Sequence, residues 1–345
     1  MSDGQASGVL LAPAMHMADQ LLTPVPAAVL MALAGASLAV ASRRARARFD
    51  PAQVPLMGVL GAFVFAAQMI NFPILPGTSG HLGGGVLLAI ILGPHAATLV
   101  MASILIVQCL IFQDGGLLAL GANILNLGVI PCYLGYAVFR AVGGEAPTPR
   151  RLYAAVFLAS MVGMVTGAAA VPLEVFVSGM VRVPLSKFLL VMVALHLLIG
   201  LAEALITFGV IVYLAGVRPQ VLGAMGERLA ATGGRTWSPR AVLASLLLVA
   251  VMLGGVVSRF ASPWPDALNS VTSVEAAPGQ AMVRPNENET VSRVSKLQQR
   301  VAPLPDYQWT GVGGVVGTIV TLLLVWGVGR ALRRRAQPGL PAGHD

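Results

Sequence analysis

Phe188–Leu214 reads FLLVMVALHLLIGLAEALITFGVIVYL, a run of 27 residues with one histidine, one glutamate and no basic residue. About 20 apolar residues cross the hydrocarbon core of a bilayer as a helix. Only a helix or a closed barrel satisfies its own backbone there. Working outward, comparable runs recur at roughly 25–41, 54–70, 82–93, 95–112, 118–139, 153–177, 241–257 and 310–329. With 188–214 these make nine candidate spans. The third is short, and Gly93-Pro94 breaks it, because proline removes a helical donor and crowds the preceding turn. Hydrophobic residues are 56% of the 345, and charged residues only 10%. Mean hydropathy is +0.80. A soluble chain of this size carries far more charge. The expected fold class is an all-α polytopic membrane protein of about nine spans.

The basic residues set the orientation. Arg43, Arg44, Arg46 and Arg48 follow the first span, and Arg140, Arg150 and Arg151 the fifth. Arg218, Arg228, Arg235 and Arg240 follow the seventh, and Arg330, Arg333, Arg334 and Arg335 the last. The opposite short loops hold only Arg182 and Lys187, and the long 258–309 loop is barely constrained by the charge rule. The amino terminus is therefore expected outside and the carboxyl terminus inside. The high isoelectric point reflects cytoplasmic loops facing a lipid bilayer, not a nucleic-acid footprint.

Two of the five histidines carry the chemistry: His16 in MHMADQLLTP (Met15–Pro24) and His81 in PGTSGHLGGG (Pro76–Gly85). Each stands at the end of an apolar span, and the topology places both outside, so they can share one site. Imidazole at a membrane boundary is costly and usually functional. In a ligand-poor chain a pair of imidazoles suits zinc, copper, iron or nickel better than magnesium or calcium.

Much else is missing. The only lysines, Lys187 and Lys296, do not follow glycine, so the chain has no P-loop; H-E-x-x-H and G-x-S-x-G are absent too. Cys109 and Cys132 lie within spans and read as small buried hydrophobes. Charges within spans are Glu174 and Glu203. His196 and Glu203, seven residues apart, share a helix face and read as a structural pair or as part of a transport path. Asp114, in FQDGG, reads as turn chemistry. Small residues at four-residue spacing (Ala28, Ala32, Ala36; Gly58, Ala62, Ala66; Gly313, Gly317) read as internal packing stripes or inter-subunit contacts.

Three segments carry a resemblance: Met15–Pro24, FAAQMINFPILPGTSGHLGGGVLLAIILGP (Phe65–Pro94) and DGGLLALGANILNLGVIPC (Asp114–Cys132). Together with HLLIGLAEALIT (His196–Thr207), they resemble the cobalt/nickel substrate-capture component of energy-coupling-factor transporters, the CbiM/NikM family, over roughly residues 15–215. ASPWPDALNSV (Ala261–Val271) and APLPDYQ (Ala302–Gln308) resemble the PDGLE or NikN-type two-helix accessory component. There Pro265-Asp266-Ala267-Leu268-Asn269 stands for the usual Pro-Asp-Gly-Leu-Glu. Without that resemblance the loop reads as a solvated excursion. The implied organisation is an extension at 1–14, a metal-capture domain at 15–235, and an accessory module at 236–337 with an outer loop at 258–309.

The resemblance also implies the metal ligands: the free amine of Met15, the amide and imidazole of His16, and the imidazole of His81. Square-planar nitrogen coordination of this kind favours Ni(II) or Cu(II). Fourteen residues precede Met15, so the amine is free only if Met15 starts the mature chain or the segment is removed; a start at Met15 is expected. Gln20 replaces the family's usual glycine. The expected function is the substrate-binding membrane subunit of an ATP-driven nickel or cobalt importer, with Ni2+ or Co2+ as substrate and no bound nucleotide of its own. Its partners would be a transmembrane T component and cytoplasmic ATPase subunits. Rival readings are a self-sufficient secondary transporter or channel, and a membrane-bound enzyme. The first usually shows charge relays or inverted repeats, and the second needs a cluster of acids, bases or ligands.

Overall fold

The computed structural model describes residues 16–47, 50–230, 237–273, 275–277, 280–307 and 309–336. Seven described helices are long and apolar enough to cross a membrane. They are α1 (Pro24–Ala47), α4 (Pro94–Phe112), α5 (Leu120–Gly143), α6 (Pro149–Val177), α7 (Leu185–Val217), α9 (Pro239–Gly255) and α12 (Thr310–Ala336). The predicted second and third spans are helices of lesser length, α2 (Val54–Gln68) and α3 (Gly85–Leu92). Between them runs a two-stranded hairpin of β1 (Phe72–Leu75) and β2 (Thr78–Gly80). Gly93, at φ 79°, ends α3, and Pro94 begins α4. The short helix α8 (Gly223–Ala230) lies between α7 and α9.

α5 is not a regular helix. Ile124–Val129 and Pro131–Gly135 are wound as π-helix. Pro131 has no N–H to donate, and widened turns of this kind often accompany function. The backbone there is also closely packed. A Cβ on Gly121 would collide with the backbone of Met31, and one on Gly167 with the carbonyl of Asn126.

The small-residue stripes divide. Gly58 faces Leu322, and Gly317 faces Phe65 and Phe112, so α12 lies close against α2 and α4. Gly254 meets Gly314, which brings α9 onto α12. On α1, by contrast, Ala28, Ala32 and Ala36 are exposed. Its buried residues are Ala27, Ala34, Ala41 and Ala45. Three of these follow a seven-residue repeat and, with Met31 against Gly121, mark the face that packs on the bundle. The predicted stripe faces away from the core.

The 258–309 segment is not a solvated excursion. It folds into α10 (Ala267–Ser273), a small hairpin of β3 (Glu275–Ala277) and β4 (Gln280–Ala281), and α11 (Glu289–Val301). Ser79 donates its amide to Pro265 O (2.8 Å) and Arg182 donates its amide to Met282 O (2.8 Å). The Asn286 side-chain amide reaches Leu22 O at 2.9 Å. Two of these contacts end inside the histidine segments, at Ser79 and Leu22, and the third on the turn between α6 and α7.

Candidate metal centre

His16 precedes α1 and is held by the Asp114–Asn123 turn. Its amide donates to Asp114 Oδ1 (3.1 Å), and its Nδ1 stands 3.0 Å from the same oxygen. Met17 and Asn123 exchange two hydrogen bonds, with Met17 N donating at 3.0 Å and Asn123 Nδ2 at 3.1 Å. Asp19 accepts from the amides of Leu118 and Ala119. A Cβ on Gly116 would run into the Asp19 carboxylate, so glycine is needed there. His16 is 2% exposed; its Nδ1 faces the Asp114 carboxylate, and its Nε2 has no hydrogen-bonding partner among the described residues. Buried polar atoms are normally satisfied, and a buried ring nitrogen without a partner, on an imidazole oriented by a carboxylate, fits a cation site.

The other histidine lies at the end of β2. His81 Nδ1 is 3.1 Å from Leu82 O. That contact puts the ring proton on Nδ1 and makes Nε2 the lone-pair nitrogen. The ring centroids of His16 and His81 are 5.4 Å apart. An ion held at about 2.0 Å by a nitrogen of each ring would leave the centroids about 4–6 Å apart. The structure thus brings together two of the three predicted ligand residues. Met15, the third, lies outside the described residues, as do residues 1–14.

Both rings line a buried cavity of about 60 Å³. Deeper in, its wall includes Asn126, Met164, Met192, His196 and Glu203. His196 and Glu203 do not bond to each other as a helix-tying pair. His196 Nδ1 gives its proton to Met192 O (2.8 Å), while Glu203 Oε2 accepts from Gly83 N (2.9 Å). Glu174 instead accepts from the Asn126 side chain at 2.8 Å. The accessory segment forms part of the same wall through Asp266, Ala267 and Leu268. Tyr307 OH donates to Asp114 Oδ2 (2.7 Å) while its ring stacks on Phe112.

Charge at the site follows from these contacts. Burial alone would raise the Asp114 carboxyl, but the charge and hydrogen bond of His16, with Tyr307 and His81, outweigh it and hold the group below its ordinary value. Burial pushes Asp266 up to about 7, with the Asp114 charge adding to the shift and the Asn269 amide and the His16 charge opposing it. Burial also raises Asp19, and the amides around Leu118 offset only part of that.

Reading Asp114 as ordinary turn chemistry misses its main contact, the His16 backbone and ring. Asn123 and Tyr307 carry no local signal, since their partners at the site lie more than 100 residues away, and Asp266 shows locally only its bond to the Asn269 amide. Glu203 is visible as a lone charge within a span, but its partner is not. Cys109 and Cys132 are buried free thiols.

Residues 16–221 match the family described as the cobalt uptake substrate-specific transmembrane region, CbiM. The chain belongs to that family. Residues 240–334 match the PDGLE domain, so this CbiM-family chain carries both units in one polypeptide. A putative fused nickel transport protein of Archaeoglobus fulgidus is 35% identical over 82% of this chain and 86% of its own length. The fused nickel transport protein NikMN of Rhodobacter capsulatus is 30% identical, over 93% of this chain and all of that one. A crystal structure of a transition metal transporter aligns with TM-score 0.52 and 32% identity, covering 58% of this chain and 92% of the other. The chain is a multi-pass membrane protein of a metal-transport family.

Proposed function

We propose that this chain is the substrate-binding membrane subunit of an ATP-driven nickel or cobalt importer of the energy-coupling-factor type. The observation that carries this reading is the His16–His81 pair, 65 residues apart in sequence and 5.4 Å apart between ring centroids, at a buried cavity. The His16 imidazole and amide, the His81 imidazole and the Met15 amine form the ligand set. The ion enters from outside, with the arginine-rich helix ends in the cytoplasm. Ni(II) is the favoured cargo because nitrogen-rich tetragonal sites suit it and because relatives named as fused nickel transport proteins match this chain over 82% and 93% of its length. With no P-loop of its own, the chain draws on cytoplasmic ATPases and a transmembrane T component.

The test is equilibrium binding of Ni(II) and Co(II) to the purified protein and to His81→Ala. High-affinity binding is expected in the first and lost in the second, with folding intact. Unchanged affinity in His81→Ala removes His81 from the site. The alternative, a self-sufficient secondary transporter, would be favoured by concentrative uptake in cells lacking the partner ATPases.

A further inference from the structure

Glu203 is 2% exposed in the middle of α7, where a carboxylate is costly and normally functional. Its Oε2 accepts the amide of Gly83 at 2.9 Å, and the amides of Gly84 and Val86 also face it. The N–H of Gly83 and the carbonyl of Leu82 are two ends of one peptide unit, which is rigid and planar. That carbonyl is the partner of His81 Nδ1, at 3.1 Å. A single peptide plane therefore joins the Glu203 carboxylate to the His81 ring. The plane is held from the next peptide too, because Gly83 O accepts the Gln68 side-chain amide at 2.7 Å.

The glycines make this approach possible. A Cβ on Gly83 would lie 2.7 Å from Glu203 Oε2 and 2.8 Å from Met164 Cε, and Gly84 sits at φ +80°. The loop can press its backbone onto the carboxylate only because it has no side chains there.

We infer that Glu203 is a positioning residue for metal capture, acting through the Leu82–Gly83 peptide to orient His81 and fix its ring proton on Nδ1. Histidine ligands commonly donate their second N–H to an acceptor that sets tautomer and direction. Here the acceptor is a main-chain carbonyl, and the buried carboxylate polarises and anchors it from behind, as neighbouring hydrogen bonds in a chain do. The inference rests on the proposed capture function and gives the membrane-buried carboxylate a task that requires no contact with the ion.

The test uses the full-length protein in detergent with Ni(II) as the probe, measuring dissociation constants by competition with a chelating dye. Glu203→Ala is expected to weaken binding roughly ten- to a hundredfold, as loss of an outer-shell partner does. Glu203→Gln keeps an oxygen acceptor of the same reach and retains most of the affinity. Glu203→Asp keeps the charge but draws it back by about 1.5 Å, one carbon–carbon bond, and binds more weakly than the glutamine variant. Should the alanine variant not fold, the order of glutamine over aspartate decides. The reverse order, with aspartate tighter, would make the charge act on the ion directly and overturn the inference. So would wild-type affinity in both. If His81→Ala itself binds normally, the capture reading fails instead; if His81→Ala is lost and the Glu203 variants are all normal, only this inference fails.

Discussion

At the scale of single residues, the site is built from groups that must be unprotonated to bind a metal. Metal binding displaces protons from imidazole and amide, and a free imidazole takes its proton near pH ~6.5. Ni(II) affinity is therefore expected to fall steeply below about that pH, and a flat titration down to about pH 5 would point to carboxylate ligands. Asp266 has the opposite effect on the metal-free protein. Its carboxyl holds its proton to about 7 in the fold, while an unfolded aspartate loses it near ~3.9. Between those values the folded state binds one more proton, so this group's share of stability rises as pH falls from about 7 towards about 4. Asp114 is shifted the other way, so its slope lies below that window. Asp266→Asn should flatten the dependence between pH 4 and 7, measurable as the melting midpoint at each pH; an unchanged slope would show that the group is already ionised.

At the scale of elements, the sequence patterns reveal spans more readily than partners. The runs that make α1, α4, α6 and α7 are long, apolar and bounded by arginine or proline, and hydropathy alone locates them. The break at Gly93-Pro94 is equally plain. The π-wound turns of α5 are not, because no local pattern separates Ile124–Gly135 from an ordinary apolar helix; close backbone packing decides them. The outward-facing alanines of α1 show the same limit, since small residues at four-residue spacing allow close packing without requiring it. His16 and His81 stand out because imidazole is scarce and costly in this setting, whereas Tyr307 is one tyrosine in a polar loop. Its role becomes visible only when α12 and α4 stack and bring its hydroxyl to Asp114. Tyr307→Phe keeps the ring on Phe112 and deletes the hydroxyl's bond to Asp114, together with its contact to Gln108. A hydrogen bond to a charged group is worth about 1.5–3 kcal/mol, so Ni(II) binding should weaken by roughly tenfold or more. Asp114→Asn combined with Tyr307→Phe should be little worse than Asp114→Asn alone, because the hydroxyl acts through that carboxylate. Additive losses in this cycle would assign the tyrosine a separate role.

At the scale of the whole molecule, both units contribute to the wall of the cavity and pack against one another. α2 carries Gln68, which holds the His81 loop, and α9 and α12 pack along α2. Gln298 of α11 reaches Cys109 O (2.9 Å) and Gly115 O (2.8 Å), beside the turn that holds His16. Under the proposed function, uptake is expected to stop when cytoplasmic ATPases of the importer are inactivated, as measured by accumulation of radioactive nickel in cells expressing this chain. Binding to the purified protein should persist under the same treatment.

One contact described above bears on how the protein is made. Asp114 and Tyr307 are 193 residues apart, and the order of synthesis is His16, His81, Asp114, Glu203, Asp266, Tyr307. At about 5–20 residues per second, the first histidine has been in the membrane for roughly 15 seconds or more before the tyrosine leaves the ribosome. For the 185 residues between His81 and Asp266, about 9 seconds or more at that rate, the nascent chain has both imidazoles but neither the Asp266 wall nor the Tyr307 hydroxyl. Tight capture is therefore expected to mature late and abruptly, when translation of the last helix is complete, so that an unfinished chain does not sequester nickel that it cannot pass on.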